Sequence, residues 1–391
     1  MSAVIATAHK RIAVIGGGLV GAAAALMAER AGAEVTLFEP RPPAPLPPPP
    51  QALCDWPIRH VALARASLDL LEGLGVDMQF QHGVFGAMQV WEQLGTASLS
   101  FAAADADAET LGWMAELPAV IAALWQRLAQ LQGVTTVTGS AVDAVQPDGA
   151  GWSIVCGHEH RSFDLVLAAD GARSVVRTAL AVAAPSRPTG HHALATVVRT
   201  EQAHNNIARQ RFLVEGPLAL LPTRDPRTVS IVWSQPPAQA TRRLALDDQA
   251  FCKELTDASE GALGAVQAVG QRAGFPIAQQ LAASFRPRPG VALIGDAARV
   301  LHPLAGLGVN LGLEDVAALR PVLQDGSERS WAAWSRQRRA RGALVQTALT
   351  TLQQTYGARG PWWSLLRNSG VRLINRSDTA RRLLVREALG L

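Results

Sequence analysis

Asp296 is the residue whose setting in this chain points most directly to chemistry. It follows Gly295, where the apolar run VALIG (291–295) should end as a buried parallel strand. Pro303, Gly306 and Gly308 then mark a loop, and a helix follows with Leu311, Leu313, Val316, Leu319 and Val322 at its apolar positions. A carboxylate at a strand end accepts hydrogen bonds from sugar-alcohol hydroxyls. Glycines just ahead of a helix let backbone N–H groups close on a ligand, and the helix start favours partial negative charge. A flavin offers both targets: a ribityl chain, and an N1/C2 edge that becomes anionic on reduction. The stretch reads as the holder of the redox end of FAD.

The other end of such a cofactor has its own signature near the N-terminus. Residues 12–15 form an apolar strand, and Gly16, Gly18 and Gly21 fit G-x-G-x-x-G at the start of an alanine-rich helix. Residues 35–38 make a second strand, and Glu39 closes it at the distance the dinucleotide fingerprint asks. Gly16 serves the tight turn, Gly18 the approach of a pyrophosphate, and Gly21 the close packing of helix on strand. Val20, between the last two glycines, is counted with the cofactor-binding set. Glu39 can take both hydroxyls of an adenosine ribose. A single fingerprint leaves no second dinucleotide unit, so a nicotinamide donor would have to dock transiently.

Between these ends the pattern changes character. Residues 40–50 are a polyproline connection, and 57–75 read as a helix preceded by Arg59. Arg59 either reaches a phosphate or the flavin, or is simply solvated. Strand patterns fill 84–101, a helix 113–131, and short strands 135–155; the strand 163–169 then runs into Asp170-Gly171-Ala172-Arg173-Ser174. Residues 190–235 read as antiparallel strands divided by turns, 247–269 as helix, and 275–285 as one more strand. From about 330 the chain is helical and basic. Its leucine and arginine faces suit either a cover on the core or a surface lying on a membrane.

The expected fold class is α/β: a Rossmann-like FAD-binding domain with an inserted antiparallel β-sheet substrate domain and a C-terminal helical region. Residues 1–80, 104–183 and 286–391 are assigned to the first, and 81–103 and 184–285 to the second.

Composition limits the alternatives. The 391 residues are 48% hydrophobic and 17% charged, which indicates a globular chain. Lys+Arg 36 against Asp+Glu 32 is a mild excess, so nucleic acid is not expected as a partner. Cys54, Cys156 and Cys252 are scattered and odd in number, which suits a reducing compartment and neither a disulfide framework nor a metal site. The N-terminus reads as folded structure, not as a signal peptide, and no run is long enough to span a bilayer. A cytoplasmic location, peripheral to the inner membrane, fits these limits.

The glycine fingerprint, Asp170-Gly171-x-x-Ser174, and Gly295-Asp296 followed by His302-Pro303 occur in an order that resembles the group A FAD-dependent aromatic hydroxylases, relatives of para-hydroxybenzoate hydroxylase. DGARSVVR and GDAARVLHPLAGLGVNLGLEDVAAL are most similar to the ubiquinone-biosynthesis members. The resemblance implies noncovalent FAD, NAD(P)H as transient reductant, O2 as co-substrate and a polyprenylated phenol as substrate. It also implies oxygen transfer through a flavin C4a-hydroperoxide, and other ubiquinone-biosynthesis proteins as neighbours.

Carried over by position, Asp296 would hold the ribityl chain, and Gly308, Val309 and Asn310 would approach the pyrimidine end. Asp170 and Arg173 would serve FAD and the nucleotide. His302 and Pro303 would line the substrate side, although a loop histidine can equally satisfy backbone groups. The chain departs from the family in having Leu307 between Gly306 and Gly308 where glutamine is usual, and Leu117-Pro118 where Asn-Arg is usual. A reductase on the same scaffold and a non-catalytic flavoprotein of an assembly remain open at this point.

Overall fold

Five parallel strands carry both glycine segments. In spatial order they are Val291–Leu293, Leu165–Ala168, Arg11–Ile15, Glu34–Glu39 and Val134–Thr138. The computed structural model describes residues 10–46, 48–80, 82–94, 98–302 and 306–357, with 382 and 386. Ile12, Ala13, Val14, Val166, Leu167 and Val291 through Leu293 are all fully buried, as strands covered on both faces must be. The helix Leu19–Arg30 lies on this sheet through Ala22, Ala23, Ala24 and Ala25. Its small side chains bring the helix close to the strands. A Cβ on Gly21 would sit 1.8 Å from the Gly16 carbonyl oxygen, so only glycine fits there.

A second sheet has nine strands. Its path runs Arg299–Val300, Ala273–Leu281, Arg187–Thr200, Thr228–Gln235, Gly216–Pro222, Ile207–Leu213, Ala87–Glu92 and Ser98–Ala102, with Val266–Val269 paired beside Arg187–Thr200. Alternation divides its faces. Leu194, Leu218, Leu220, Ile231 and Trp233 pack with Phe251 and Leu255 of the helix Asp248–Ala258. Their neighbours Ala195, Ala219, Leu221, Val232 and Ser234 point the other way, into a cavity. A small antiparallel sheet, His60–Ala64 with Gly112–Glu116 and His82–Phe85, contributes residues to the opposite side of that cavity.

Several sequence expectations need correction. Residues 57–75 are not one helix: His60–Ala64 is a strand and Arg65–Gly73 the helix. Apolar residues at 61 and 63 suit either period, and pairing with Gly112–Glu116 decides the outcome. The helix expected at 113–131 starts later, at Leu117, with Pro118 in its first turn. The helix expected at 247–269 ends at Ala258. Gly261 and Gly264, both at positive φ, turn the chain into the strand Val266–Val269. The strand Glu159–Phe163 and the helix Pro237–Leu244 were not expected. The basic C-terminal region is the helix Glu328–Gly357. The remainder of that expectation, and Pro303, fall outside the described residues.

Gly21→Ala forces a methyl against main-chain atoms that cannot yield. The expected cost is about 1–3 kcal/mol, read as a melting temperature lowered by several degrees. An unchanged melting temperature would contradict the contact.

Candidate active site

At the fingerprint, Gly16 has φ +99° and backs onto the carbonyl of Ala169, which a Cβ would approach to 2.4 Å. Gly18 is different: nothing lies within 4 Å of where its Cβ would be. Gly18 also caps Leu19–Arg30, which has no side-chain cap and no acidic residue in its first turn. The helix therefore opens with its N–H groups and partial positive charge turned to empty space. Glu39 stands beside it. One carboxylate oxygen accepts the Gly17 N–H at 2.7 Å, and the other the Arg41 N–H at 3.1 Å.

Trp125, which reads from sequence only as a core residue, has a specific place here. Its indole N–H donates to the Gly17 carbonyl at 2.8 Å, and its ring leaves no room for a side chain at Gly17. The helix carrying it is tied in turn to the cavity side, where the Leu117 N–H donates to the Arg59 carbonyl at 3.1 Å. Asp170 lies behind Gly16. One of its oxygens accepts the N–H groups of Val175 and Val176 at 2.7 and 3.2 Å; the other is buried without a partner among the described residues. Burial pushes this carboxyl upward, against the Ser174 hydroxyl and neighbouring N–H groups. Arg173 is exposed on the loop. The structure adds Arg177, buried and donating to the carbonyls of Ala172 and Ala297 at 2.5 and 2.9 Å. It joins the Asp170 loop to the Asp296 turn, and only its distance from Ala297 in sequence concealed that.

The two glycine segments meet at Val20. A Cβ on Gly295 would lie 3.1 Å from the Val20 side chain, and one on Gly312 only 2.6 Å. Gly295, at φ +56°, begins the turn that carries Asp296. Asp296 is exposed and lines a cavity. The enclosing walls raise its carboxyl above the usual range, while the charges of Arg59 and Arg299 pull it back down. Gly306, at φ +64°, caps Leu307–Asp325, again with no side-chain cap and no acid in the first turn. Gly308 faces open space.

The Asn310 side chain is used within the fold. Its side-chain oxygen accepts the Ala64 N–H at 2.9 Å and the Ser67 hydroxyl at 2.7 Å, and its amide donates to the Ala62 carbonyl at 2.8 Å. The side chain pins the late helix to the strand His60–Ala64 and is not offered to the cleft, because these backbone groups near the strand end use both of its functions.

Arg59, Asp296, His302, Gly308 and Val309 all line one cavity of about 280 Å3. Gly16, Gly18, Gly21, Glu39, Asp170 and Arg173 do not. Its walls are largely apolar, with Phe85, Met88, Met114 and Phe275 among them. Gln210, Ser234, His60 and His302 supply the polar points. His302 is buried, and burial reinforced by the nearby His191 brings its pKa down to about 4. His60, absent from the sequence candidates, is also lowered to about 4 by burial and stacks on Trp56. Reading 57–75 as a helix hid it.

Comparison with known proteins follows the same lines. The sequence model of the FAD binding domain family matches residues 10–347. The 3-demethoxyubiquinol 3-hydroxylase of Escherichia coli is 32% identical over 97% of this chain and 98% of its own. The chain belongs to the FAD-dependent hydroxylase family. The ubiquinone hydroxylase UbiL of Rhodospirillum rubrum is 28% identical, covering 97% of this chain and 89% of its own. The p-nitrophenol 4-monooxygenase PnpA of Pseudomonas putida shares the fold, with a TM-score of 0.76 at 20% identity over 98% of this chain and 99% of that one.

The residues present fit the family's cofactor. Two uncapped helix starts, open space at Gly18 and Gly308, and a buried Asp170 oxygen without a partner are what a bridging dinucleotide would fill. When bound, FAD would take up a hydride and activate O2 for attack on an electron-rich ring; this chain supplies position, charge and an apolar wall.

The pH dependence of stability follows from His302. Its native imidazole stays neutral down to about pH 4, whereas in the unfolded chain it charges near the ordinary 6.5. Its contribution is therefore complete above 6.5 and is lost as pH falls toward 4, by on the order of 3 kcal/mol at most. His302→Asn should flatten the fall in melting temperature between those limits. A parallel profile in the variant would count against a neutral buried imidazole.

Proposed function

We propose that this protein hydroxylates the aromatic ring of a polyprenylated phenol or benzoquinol in ubiquinone biosynthesis, using FAD, NAD(P)H and O2. The observation that carries the reading is the apolar cavity lined by Arg59, Asp296, Gly308 and Val309. Apart from Arg59, these residues come from the Asp296 turn and the start of the late helix, in a chain similar to the E. coli 3-demethoxyubiquinol 3-hydroxylase along nearly its whole length. Small side chains on the large sheet, Ala195, Ala208 and Ala219, leave room for a substituted ring. Met88, Met114 and Phe275 suit an isoprenoid neighbour.

In this reading the main chain at Gly18, in the turn that Gly16 makes and the close packing that Gly21 allows, receives the pyrophosphate, Val20 spaces that helix from the late turn, and Glu39 takes the adenosine ribose. Asp296 accepts the ribityl hydroxyls, and Arg59 favours its ionised form against the effect of burial and reaches toward the phosphates or ring. The main chain at Gly308, Val309 and Asn310 meets the pyrimidine edge. Asp170 and Arg173 stand at the nucleotide side. His302, with Pro303 after it, faces the substrate. A pKa of about 4 makes His302 a weak base at neutral pH, so it orients the phenol by a hydrogen bond and does not itself remove the proton.

The division of the chain into a FAD-binding part (1–80, 104–183 and 286–391) and a substrate part (81–103 and 184–285) belongs to the same proposal. So does peripheral contact of the basic C-terminal region with anionic lipid. Among the described residues no helix is long and apolar enough to cross a membrane.

The test pairs binding with turnover. Purified protein should be yellow and should oxidise NAD(P)H faster when a short-chain demethoxyubiquinol is present. Asp296→Ala should weaken FAD binding by roughly tenfold or more, the scale of a lost charged hydrogen bond. Undiminished flavin content in that variant would remove Asp296 from the site.

A further inference from the structure

Behind the Asp296 turn lies a charge cluster with no contact to the cavity. Asp315, on Leu307–Asp325, is completely buried. One of its oxygens accepts the Gly295 N–H at 3.1 Å and the Arg299 guanidinium at 2.8 Å. The other accepts Arg338 Nε at 2.7 Å and the same Arg299 nitrogen at 3.0 Å. Arg299 and Arg338 are themselves buried. Arg338 also donates to the Leu311 carbonyl at 3.3 Å and to Glu314 at 3.0 Å. Gly342 makes the space: a Cβ there would lie 2.8 Å from Arg299 Cδ.

A buried carboxylate between two guanidiniums adds little net stability over apolar residues of the same size, because desolvation offsets the attraction. What it does fix is geometry. Asp315 ties one main-chain N–H of the turn to two side chains from different elements. The Arg299 guanidinium shares the Asp315 carboxylate with the charge of Arg338, and its Nε and Nη2 are buried without partners among the described residues. The charge of Arg299 acts on Asp296 and favours its ionised form.

We propose that Asp315 is a positioning residue for FAD: through Gly295 and Arg299 it sets the place of Asp296, and through Arg338 it couples that turn to the helix Glu328–Gly357. The inference rests on the reading of Asp296 as a ribityl ligand. The surface of that last helix thereby acquires a route to cofactor affinity some distance from the cofactor itself.

A double-mutant cycle on the full chain tests this, with FAD dissociation constants measured by flavin fluorescence on cofactor-depleted protein. Arg338→Met should weaken FAD about tenfold in the wild-type background and less than twofold in the Asp296→Ala background, since the effect passes through Asp296. Arg338→Lys keeps the charge but loses the fork; it should fall between, and it carries the cycle if the methionine variant does not fold. Equal weakening by the Arg338 substitution in both backgrounds, or none in either, overturns the positioning role while leaving the Asp296 reading intact. An Asp296→Ala protein that binds FAD normally overturns both.

Discussion

The close approach of two chain segments almost three hundred residues apart is the constraint on which the site depends. Val20, in the first turn of the fingerprint helix, fills the space left by the absent side chains of Gly295 and Gly312. Any larger residue at Gly312 would push the helix Leu307–Asp325 away from Leu19–Arg30. Because the three meet this closely, the uncapped starts of both helices come near each other, and a ligand with a charged middle and a polar ring could reach from one to the other. The parallel sheet supplies the rigid frame: Arg11–Ile15 and Val291–Leu293 flank Leu165–Ala168 in one layer, so both turns leave the same edge.

Around this contact the side chains divide their tasks. Trp125 and Arg177 hold main-chain carbonyls of the loops, and Asn310 locks the late helix to the strand that begins beside Arg59. The charged groups that remain, Arg59 and Asp296, face the cleft from opposite elements. Past them the environment turns apolar and the histidines lose their charge. The gradient from charged groups to apolar cavity suits a cofactor that receives electrons at a polar place and delivers oxygen at an apolar one.

Much of this was legible from residues alone where the determining contacts are local. Strand, glycines, helix and acid lie within thirty residues of each other, so Gly16 to Glu39 could be placed before any fold was known. Gly295-Asp296 was readable for the same reason. Residues whose role depends on a distant partner were not. His60 was hidden by an apolar spacing that fits a helix or a strand, and the partner strand, fifty residues on, decides it. Asp315 looks like one more acid on a helix until Arg299 and Arg338 come to it from other elements. Asn310 was placed correctly in the loop-helix segment, but its side chain turns inward because the main chain of Ala62 and Ala64 offers better partners than the cleft.

That both glycine segments grip one molecule can be measured by comparing dissociation constants of cofactor-depleted protein for FAD, for ADP and for FMN under one set of conditions. A clasp at both ends gives FAD an affinity several orders of magnitude above either fragment, since the second contact is made within the same complex. ADP binding as tightly as FAD would mean that the segment around Asp296 contributes nothing, and would contradict the central claim.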